Sequence, residues 1–492
     1  MNIPQSQSIA DGFTNTPINK IYDVIIVGAG PIGLATAVGL RKRGIDNILV
    51  IDQTRAFRQV GQVVDLLPNG LKALKYLDDR AYQAVKTASL TFTNYQPAEA
   101  EKTTAVIEPK LPKPSLEWVS KNFQGQKVRA IPLSFDVWLS EYGEGRVSIS
   151  WYNLQTALRQ LLPEEQVKPN HRCINVVDEP ELGCIRIDCV SSANVEANPY
   201  AYWLDTQSEN SDSTPQPSIT KSFRAKLIVA ADGINSTVRQ ILYADSSNLA
   251  FATPQYSGFA AISCREIPDI PQEVRSHIEE KFLAGSPIIT IANYDLSNHA
   301  FSETPRMLLM NRQSMGYLLH VAVPLDSVSG KCGSDLRNLG LQELEKAGFP
   351  QLLQELVQLS PPENILQRPY YIHRAAIDEN ILPSWSAGRV VLVGDAAHGM
   401  PPFMAQGANQ GLEDAMVMTT LITNIAQENH WHNLQAIASA FDKYERLRRP
   451  FMEYIQQATL TQFPHSSNQA WEEYGNKVYR RNFEEITSEL LV

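Results

Sequence analysis

The chain is poor in the residues that would tie it to metal, membrane or nucleic acid. Its 492 residues hold only 5 cysteines, an odd number without paired spacing, which excludes a disulfide framework and gives the expectation of a reducing, cytoplasmic setting. Cys173, Cys184 and Cys189 could be drawn together with His171, but their spacings match no zinc pattern and the segment alternates like a strand, so no metal is expected. No run of eighteen apolar residues occurs, hence no membrane span is expected. Residues 1–20 are polar, without the apolar stretch of a secretory leader, and read as a disordered N-terminus. Basic clusters with interleaved aromatics are also missing, and the net charge is −10, which argues against a nucleic-acid surface. What remains is a chain that is 43% hydrophobic and long enough for two or more lobes, with no repeat of fixed period.

Against that background three segments stand out. In the first, Tyr22 to Val27 is an apolar strand that runs into Gly28-Ala29-Gly30-Pro31-Ile32-Gly33 and a helix-prone stretch from Leu34 to Arg43. Gly28 permits a tight turn, Gly30 lets the backbone approach a pyrophosphate, and Gly33 lets helix and strand pack closely, while the helix start supplies a positive dipole end. A second strand, Ile48 to Ile51, ends in Asp52, 24 residues beyond Gly28, where an acid can receive ribose hydroxyls. The pattern reads the ADP half that NAD and FAD share and does not choose between them.

The second segment, Arg389 to Ala415, has a short apolar strand at Val390 to Val393, then Gly394-Asp395 at its carboxyl end, the position at which open α/β sheets bind ligands. Pro401 and Pro402 forbid helix across the next loop, and Gly407-Ala408-Asn409 opens a helix with Leu412, Ala415 and Met416 at helical spacing. Asp395 could accept hydrogen bonds from a ribityl or ribose chain, and the free N–H groups of the helix start favour an anion. An ordinary strand-end turn gives the same letters. The third segment is the strand Ala225 to Ala231 followed by Asp232-Gly233-Ile234-Asn235-Ser236-Thr237-Val238-Arg239, which taken alone reads as an Asp-Gly turn capping a helix around Val238.

In their order, GxGxxG, then Ala-Asp-Gly-Ile-Asn-Ser-Thr-Val-Arg, then Gly-Asp-Ala-Ala-His, these segments resemble the class A flavoprotein monooxygenases, the single-component, FAD-dependent aromatic hydroxylase superfamily, over about residues 20–450. The resemblance implies an α/β, Rossmann-like (GR2-type) FAD-binding fold with an interleaved antiparallel-sheet substrate domain and C-terminal helices. It divides the chain into an FAD-binding domain of residues 20–85, 150–250 and 385–445, a substrate domain of 86–149 and 251–384, and a C-terminal helical segment from 446 to 492. By resemblance Gly28, Gly30, Pro31, Ile32, Gly33, Asp52 and Gln53 hold the ADP moiety. Asp232 and Gly233 serve FAD and NAD(P)H, Gly394 and Asp395 the ribityl or ribose region, and Pro402, Gly407, Ala408 and Asn409 border the isoalloxazine ring.

There are three departures from the relatives. Asp52 is one methylene shorter than their usual Glu, Ala405 stands where glycine is common, and Trp151 replaces an arginine that precedes the first leucine of its helix by three residues. Arg55, Arg58 or Gln155 are the candidates to compensate for that arginine. The implied reaction uses NAD(P)H as a transient co-substrate and O2, and inserts one oxygen atom through a flavin C4a-hydroperoxide into a small aromatic substrate. There is no second GxGxxG after a strand for the nicotinamide. No catalytic acid or base is assigned: His398 reads as structural, and the charges around His373-Arg374 read as a solvated turn. An alkene epoxidase or isoprenoid reductase on the same scaffold, and a noncatalytic flavin-binding sensor or partner protein, remain the alternatives. Strand-like Pro287 to Ile291 and Tyr317 to Val323 suit a sheet covering the flavin. Polar Asp205 to Thr220 and proline-punctuated Lys110 to Pro114 read as loops, and the segment around Trp471 to Tyr474 reads as a terminal helix.

Overall fold

The computed structural model describes residues 20–54, 62–90, 117–191, 219–245, 248–293, 305–311, 314–376, 383–465 and 467–490. The expectations for residues 1–19, for Arg55 and Arg58, for Lys110 to Pro114 and for most of Asp205 to Thr220 lie outside them.

The first lobe is built on an eight-stranded sheet whose central strands are buried on both faces. Ile21–Val27 pairs in parallel with Ile48–Ile51 on one side and with Ile219–Ala230 on the other, and the latter pairs in parallel with Val390–Leu392. Runs such as Val24 to Val27 and Ile48 to Ile51 are no more than 4% exposed, as expected where helices cover both faces of a parallel sheet. The hairpin of Arg172–Glu179 and Cys184–Ser191 extends the sheet antiparallel along Ile219–Ala225. Cys173, Cys184 and Cys189 are buried free thiols within it, and no group of three metal-ligating side chains occurs among the described residues. Helices Pro31–Lys42, Pro68–Leu77 and Gly407–Gln427 pack on one another over this sheet.

The second lobe is a seven-stranded sheet in the order Ile365–Ile372, Gln255–Cys264, Met315–Ala322, Arg306–Asn311, Ile288–Ile291, Glu117–Lys121, Lys127–Pro132. All its pairings are antiparallel except that of Ile288–Ile291 with Glu117–Lys121. Alternation decides its two faces. Ile289, Ile291, Met307, Leu309, Tyr317 and Leu319 enter its own core under helices Gln272–Ile278, Gly333–Lys346 and Gln351–Gln358. The intervening Thr290, Arg306, Leu308, Leu318 and His320 look out into a cleft against the first lobe.

The expected division at residues 86–149 is drawn differently here. Among its described residues only Glu117–Lys121 and Lys127–Pro132 join the seven-stranded sheet. Phe135, Trp138 and Tyr142 pack in the first lobe's core, and Val147–Ser150 pairs with Val63–Leu66. The C-terminal helices, including Asn468–Val478, also pack on that core through Tyr474, Val478, Tyr479 and Phe483. No helix among the described residues is long and apolar enough to cross a membrane.

Candidate functional site

The three sequence motifs meet because Val27, Ala230 and Leu392 end neighbouring parallel strands in register. Gly28, Ala231-Asp232 and Val393-Gly394 therefore leave the sheet side by side at its carboxyl edge. Gly28 has φ +106°, and a Cβ there would lie 2.3 Å from the Ala231 oxygen; on Gly33 it would lie 2.0 Å from the Gly28 oxygen. The loop and helix are thus packed backbone to backbone, as the fingerprint requires.

Two helix starts open on the resulting cleft. Helix Pro31–Lys42 has Gly30 at its N-cap and helix Gly407–Gln427 has Gln406, and neither receives a side-chain cap. Gly28, Gly30, Pro31, Ile32, Asp52, Gln53, Asp232, Gly233, Asp395, Pro402, Gly407 and Ala408 all line this cleft of about 3170 Å³. Uncapped N–H groups at two of its walls favour electron-rich groups. Asp395 is exposed to the cleft. Desolvation by the surrounding protein raises its carboxyl above the ordinary range, an effect opposed by His398 and Arg368.

Several expected contacts turn inward instead. Asp52 lines the cleft, yet its two oxygens accept the Ala29 N–H at 2.7 Å and the Thr54 N–H at 2.7 Å, so the acid braces the glycine loop it faces. Asp232 accepts from the Ser236 hydroxyl at 2.5 Å and the Val238 N–H at 3.2 Å. Its side chain caps helix Thr237–Leu242, and burial lifts its carboxyl to about 6 against those bonds. Gln155 does not reach the cleft: it is buried and donates to the Ala29 oxygen at 2.6 Å. Asn409 is fully buried. It accepts from the Leu67 N–H and donates to the oxygens of Asp65 and Ala405, clamping the helix start to strand Val63–Leu66. Gly394 and Gly33 support the loops from behind, and Trp151 covers the glycine loop, its indole 3.9 Å from where a Gly30 Cβ would stand.

Two buried devices hold the loops in place, and sequence reasoning missed both. Arg239 donates to the oxygens of Ala396 and Ala397 at 2.9 and 3.0 Å and to that of Phe251, so the Asp-Gly segment grips the Gly-Asp segment. Asp414 accepts from the Gly394 N–H at 2.8 Å, from His398 Nε2 at 2.6 Å and from Arg448 Nε at 2.7 Å. Arg448 also binds Glu413 and Gln410. Burial would raise the Asp414 carboxyl, but His398 and Arg448 outweigh it and hold the group at about 2. The structural part expected for His398 is what this geometry gives it. A signal for the network was available, since Glu413 and Asp414 are adjacent acids inside an otherwise apolar helix.

The solvated turn expected at His373 is corrected. His373 is 3% exposed, with Nε2 2.8 Å from the Ile234 oxygen, because strand Ile365–Ile372 delivers it beneath the Asp-Gly segment. Arg374 alone is exposed.

The opposite wall comes from the seven-stranded sheet and the loop ahead of Gly407. Phe403 is its hub, with His320, Phe259 and Tyr370 ring centroids at 4.9, 5.3 and 5.4 Å and the Arg306 guanidinium at 4.9 Å. Trp118 donates to Thr290 at 2.9 Å further along.

Glycines that admit no side chain, two uncapped helix starts and a cleft-facing carboxylate are the features a flavin dinucleotide requires, so the residues fit FAD. The comparisons agree. A family model described as FAD binding domain matches residues 21–63 and 341–459. The 6-hydroxynicotinate 3-monooxygenase of Bordetella bronchiseptica is 22% identical over 439 residues, covering 89% of this chain and 90% of that protein. Among solved structures, a salicylate hydroxylase substrate complex aligns with TM-score 0.61 at 18% identity over 96% of this chain and 98% of the other. Klebsiella pneumoniae HpxO complexed with FAD and uric acid aligns with TM-score 0.54 at 17% identity over 96% of each. Fold and site together define an FAD-binding flavoprotein. Over most of its length the chain is similar to class A, FAD-dependent aromatic hydroxylases.

Proposed function

We propose that the protein is an NAD(P)H-dependent flavoprotein monooxygenase that inserts one atom of O2 into a small aromatic substrate. The observation that carries this reading is the continuity of one cleft, from Gly28, Asp52 and Asp395 past the helix start at Gly407 to the aromatic wall of Phe403, His320 and Tyr370. Relatives named for 6-hydroxynicotinate and salicylate, and a neighbour complexed with uric acid, support a planar ring as the substrate.

In this reading Gly28, Gly30 and the start of helix Pro31–Lys42 hold the pyrophosphate, Gln53 and the second lone pairs of the Asp52 oxygens, beyond those that Ala29 and Thr54 occupy, the adenosine ribose, and Asp395 the ribityl chain. Gly407 and Ala408 present N–H groups to the flavin ring. FAD, when bound, supplies the redox and oxygen chemistry. The chain's own residues orient the substrate ring against Phe403, stabilise negative charge at the Gly407 helix start, and exclude water with the sheet face. His398 has no acid–base part, because its Nε2 is committed to Asp414 away from the cleft. The nicotinamide nucleotide approaches the same cleft, as the described residues hold a single glycine-rich loop after a strand.

The test is turnover of FAD-loaded protein with NADH or NADPH, under 18O2, against a panel of phenols and polyenes. One 18O per aromatic product is expected. Label in a polyene alone, or NAD(P)H oxidation that no ring stimulates, would overturn the reading.

A further inference from the structure

Phe403 packs over four of the seven strands, against Tyr370, Phe259, His320 and Arg306. The other three carry the floor of the cleft onward. Leu308 stands beside Thr290, Thr290 beside Ser120 and Ser120 beside Arg129, and all four line the cleft. One pleat along, Met310 faces Ile288 and Trp118 faces Ile131, again on the cleft side. Strands in a sheet lie about 4.8 Å apart, so these three steps extend the floor by roughly 14 Å beyond Arg306–Asn311. A ring held at aromatic contact from Phe403, about 4.5–7 Å between centroids, covers the near end and leaves the rest.

The roof of this extension is aromatic and comes from the first lobe. Trp138 of helix Phe135–Tyr142 lies 5.3 Å from Tyr479, and Trp471 of helix Asn468–Val478 lies 6.3 Å from it; all three rings line the cleft. Roof and floor meet at the last strand of the sheet. Trp138 donates to the Pro132 oxygen at 2.7 Å, and Arg129 donates to the oxygens of Pro464 and Ser467, with its guanidinium 5.3 Å from the Trp471 ring. The indole N–H groups of Trp118 and Trp138 are spent on Thr290 and Pro132, so these rings ask no hydrogen bond of a ligand. Trp118, Ile131 and Trp471 are half-buried, and covering the surface they leave exposed favours an apolar occupant.

We propose that this extension is an apolar subsite of the same cleft, so that the protein selects aromatic rings carrying an apolar arm of up to roughly 14 Å. The ring lies at Phe403, and the arm runs between Leu308 and Ile131 on one side and Trp138 and Trp471 on the other. This rests on the monooxygenase reading for the fate of the ring, but not for the binding itself.

Calorimetry of FAD-loaded protein with 4-alkylphenols, from methyl to octyl, separates the two. Each added methylene should tighten binding about threefold, the gain for one CH2 group taken out of water, with one molecule bound per chain throughout. The octyl compound with a hydroxyl at the end of its arm should bind about tenfold more weakly than its parent, because that hydroxyl is buried against rings. Ser120→Phe, which sets a ring on the floor of the extension, should stop the gain at the shorter arms. The proposal is overturned if affinity is flat with arm length, if the hydroxyl-ended arm binds as tightly as the octyl, or if Ser120→Phe leaves the whole series unchanged. The wild-type series needs no variant and decides the matter if Ser120→Phe fails to fold. Arm-dependent binding without oxygen insertion would contradict the enzymatic reading and leave the subsite intact, while turnover of short phenols with no gain from the arm would do the reverse.

Discussion

Asp414 shows how much one side chain can fix. Through three bonds it ties the Gly394 turn, His398 and Arg448 into a single buried unit. Arg448 is itself wholly buried, and Arg481 adds a second cation 3.3 Å from Glu413. Replacing a buried ionic group on one side strands the charges opposite. Arg448→Met should therefore cost about 3–5 kcal/mol, read as a lowered midpoint in urea, and Arg448→Lys should recover little because it cannot reach Asp414, Glu413 and Gln410 together. Buried histidines set the acid limit. His373 is held at about 3, by burial first and Arg239 next, against an ordinary 6.5. Between those values the unfolded chain takes a proton that the fold refuses, so stability is complete above about pH 6.5 and is lost as pH falls toward 3. His465 adds the same sign. Asp232, raised to about 6, works oppositely, its contribution present below its unfolded value and lost as pH rises through 6. Denaturation midpoints from pH 7 to 4.5 should decline, and His373→Gln should flatten that decline by one proton. An unchanged slope would show that His373 titrates normally.

At the scale of elements, the strand–glycine–helix unit was the most legible part of the sequence, because its signals are local. Apolar runs of four to seven residues, glycines at turns and an acid at the next strand end placed Ile21–Val27, Ile48–Ile51 and the start of helix Gly407–Gln427 nearly where they lie, and of Ile219–Ala230 its carboxyl half, the strand beginning six residues ahead of Ala225. Gly33 tests this packing. Gly33→Ala would set a methyl against the Gly28 oxygen, an overpacking that costs about 1–3 kcal/mol. A lower melting temperature and loss of bound flavin are expected together, and full flavin content would contradict the close approach. Side-chain direction was less legible. Gln155 and Asn409 were chosen for the right loops, but both spend their amides on backbone groups, since a buried carbonyl leaves a nearby amide little freedom. The seven-stranded sheet was least legible, because its order threads Glu117–Lys121 beside Ile288–Ile291, a pairing across most of two lobes that no local pattern encodes. For the same reason, helix Phe135–Tyr142 was assigned to the wrong lobe, and the aromatic extension of the cleft went unseen.

On the scale of the whole molecule, two layers made for different tasks share one cleft. The parallel sheet delivers three loops to a single edge and so builds a site for a long, charged dinucleotide from short motifs far apart in sequence. The antiparallel sheet supplies a wall whose exposed face is set by alternation and can vary without disturbing its core. That division explains why cofactor residues carry recognisable patterns and substrate residues do not. The central claim is that this cleft holds FAD, and a titration of the purified protein with FAD, followed by flavin fluorescence, tests it most directly. One equivalent should bind and turn the protein yellow, and Asp395→Ala should weaken binding by about tenfold, the loss of one hydrogen bond to a charged group. A colourless protein that takes up no FAD would contradict the account, and so would an Asp395→Ala variant that binds it as tightly as the wild type.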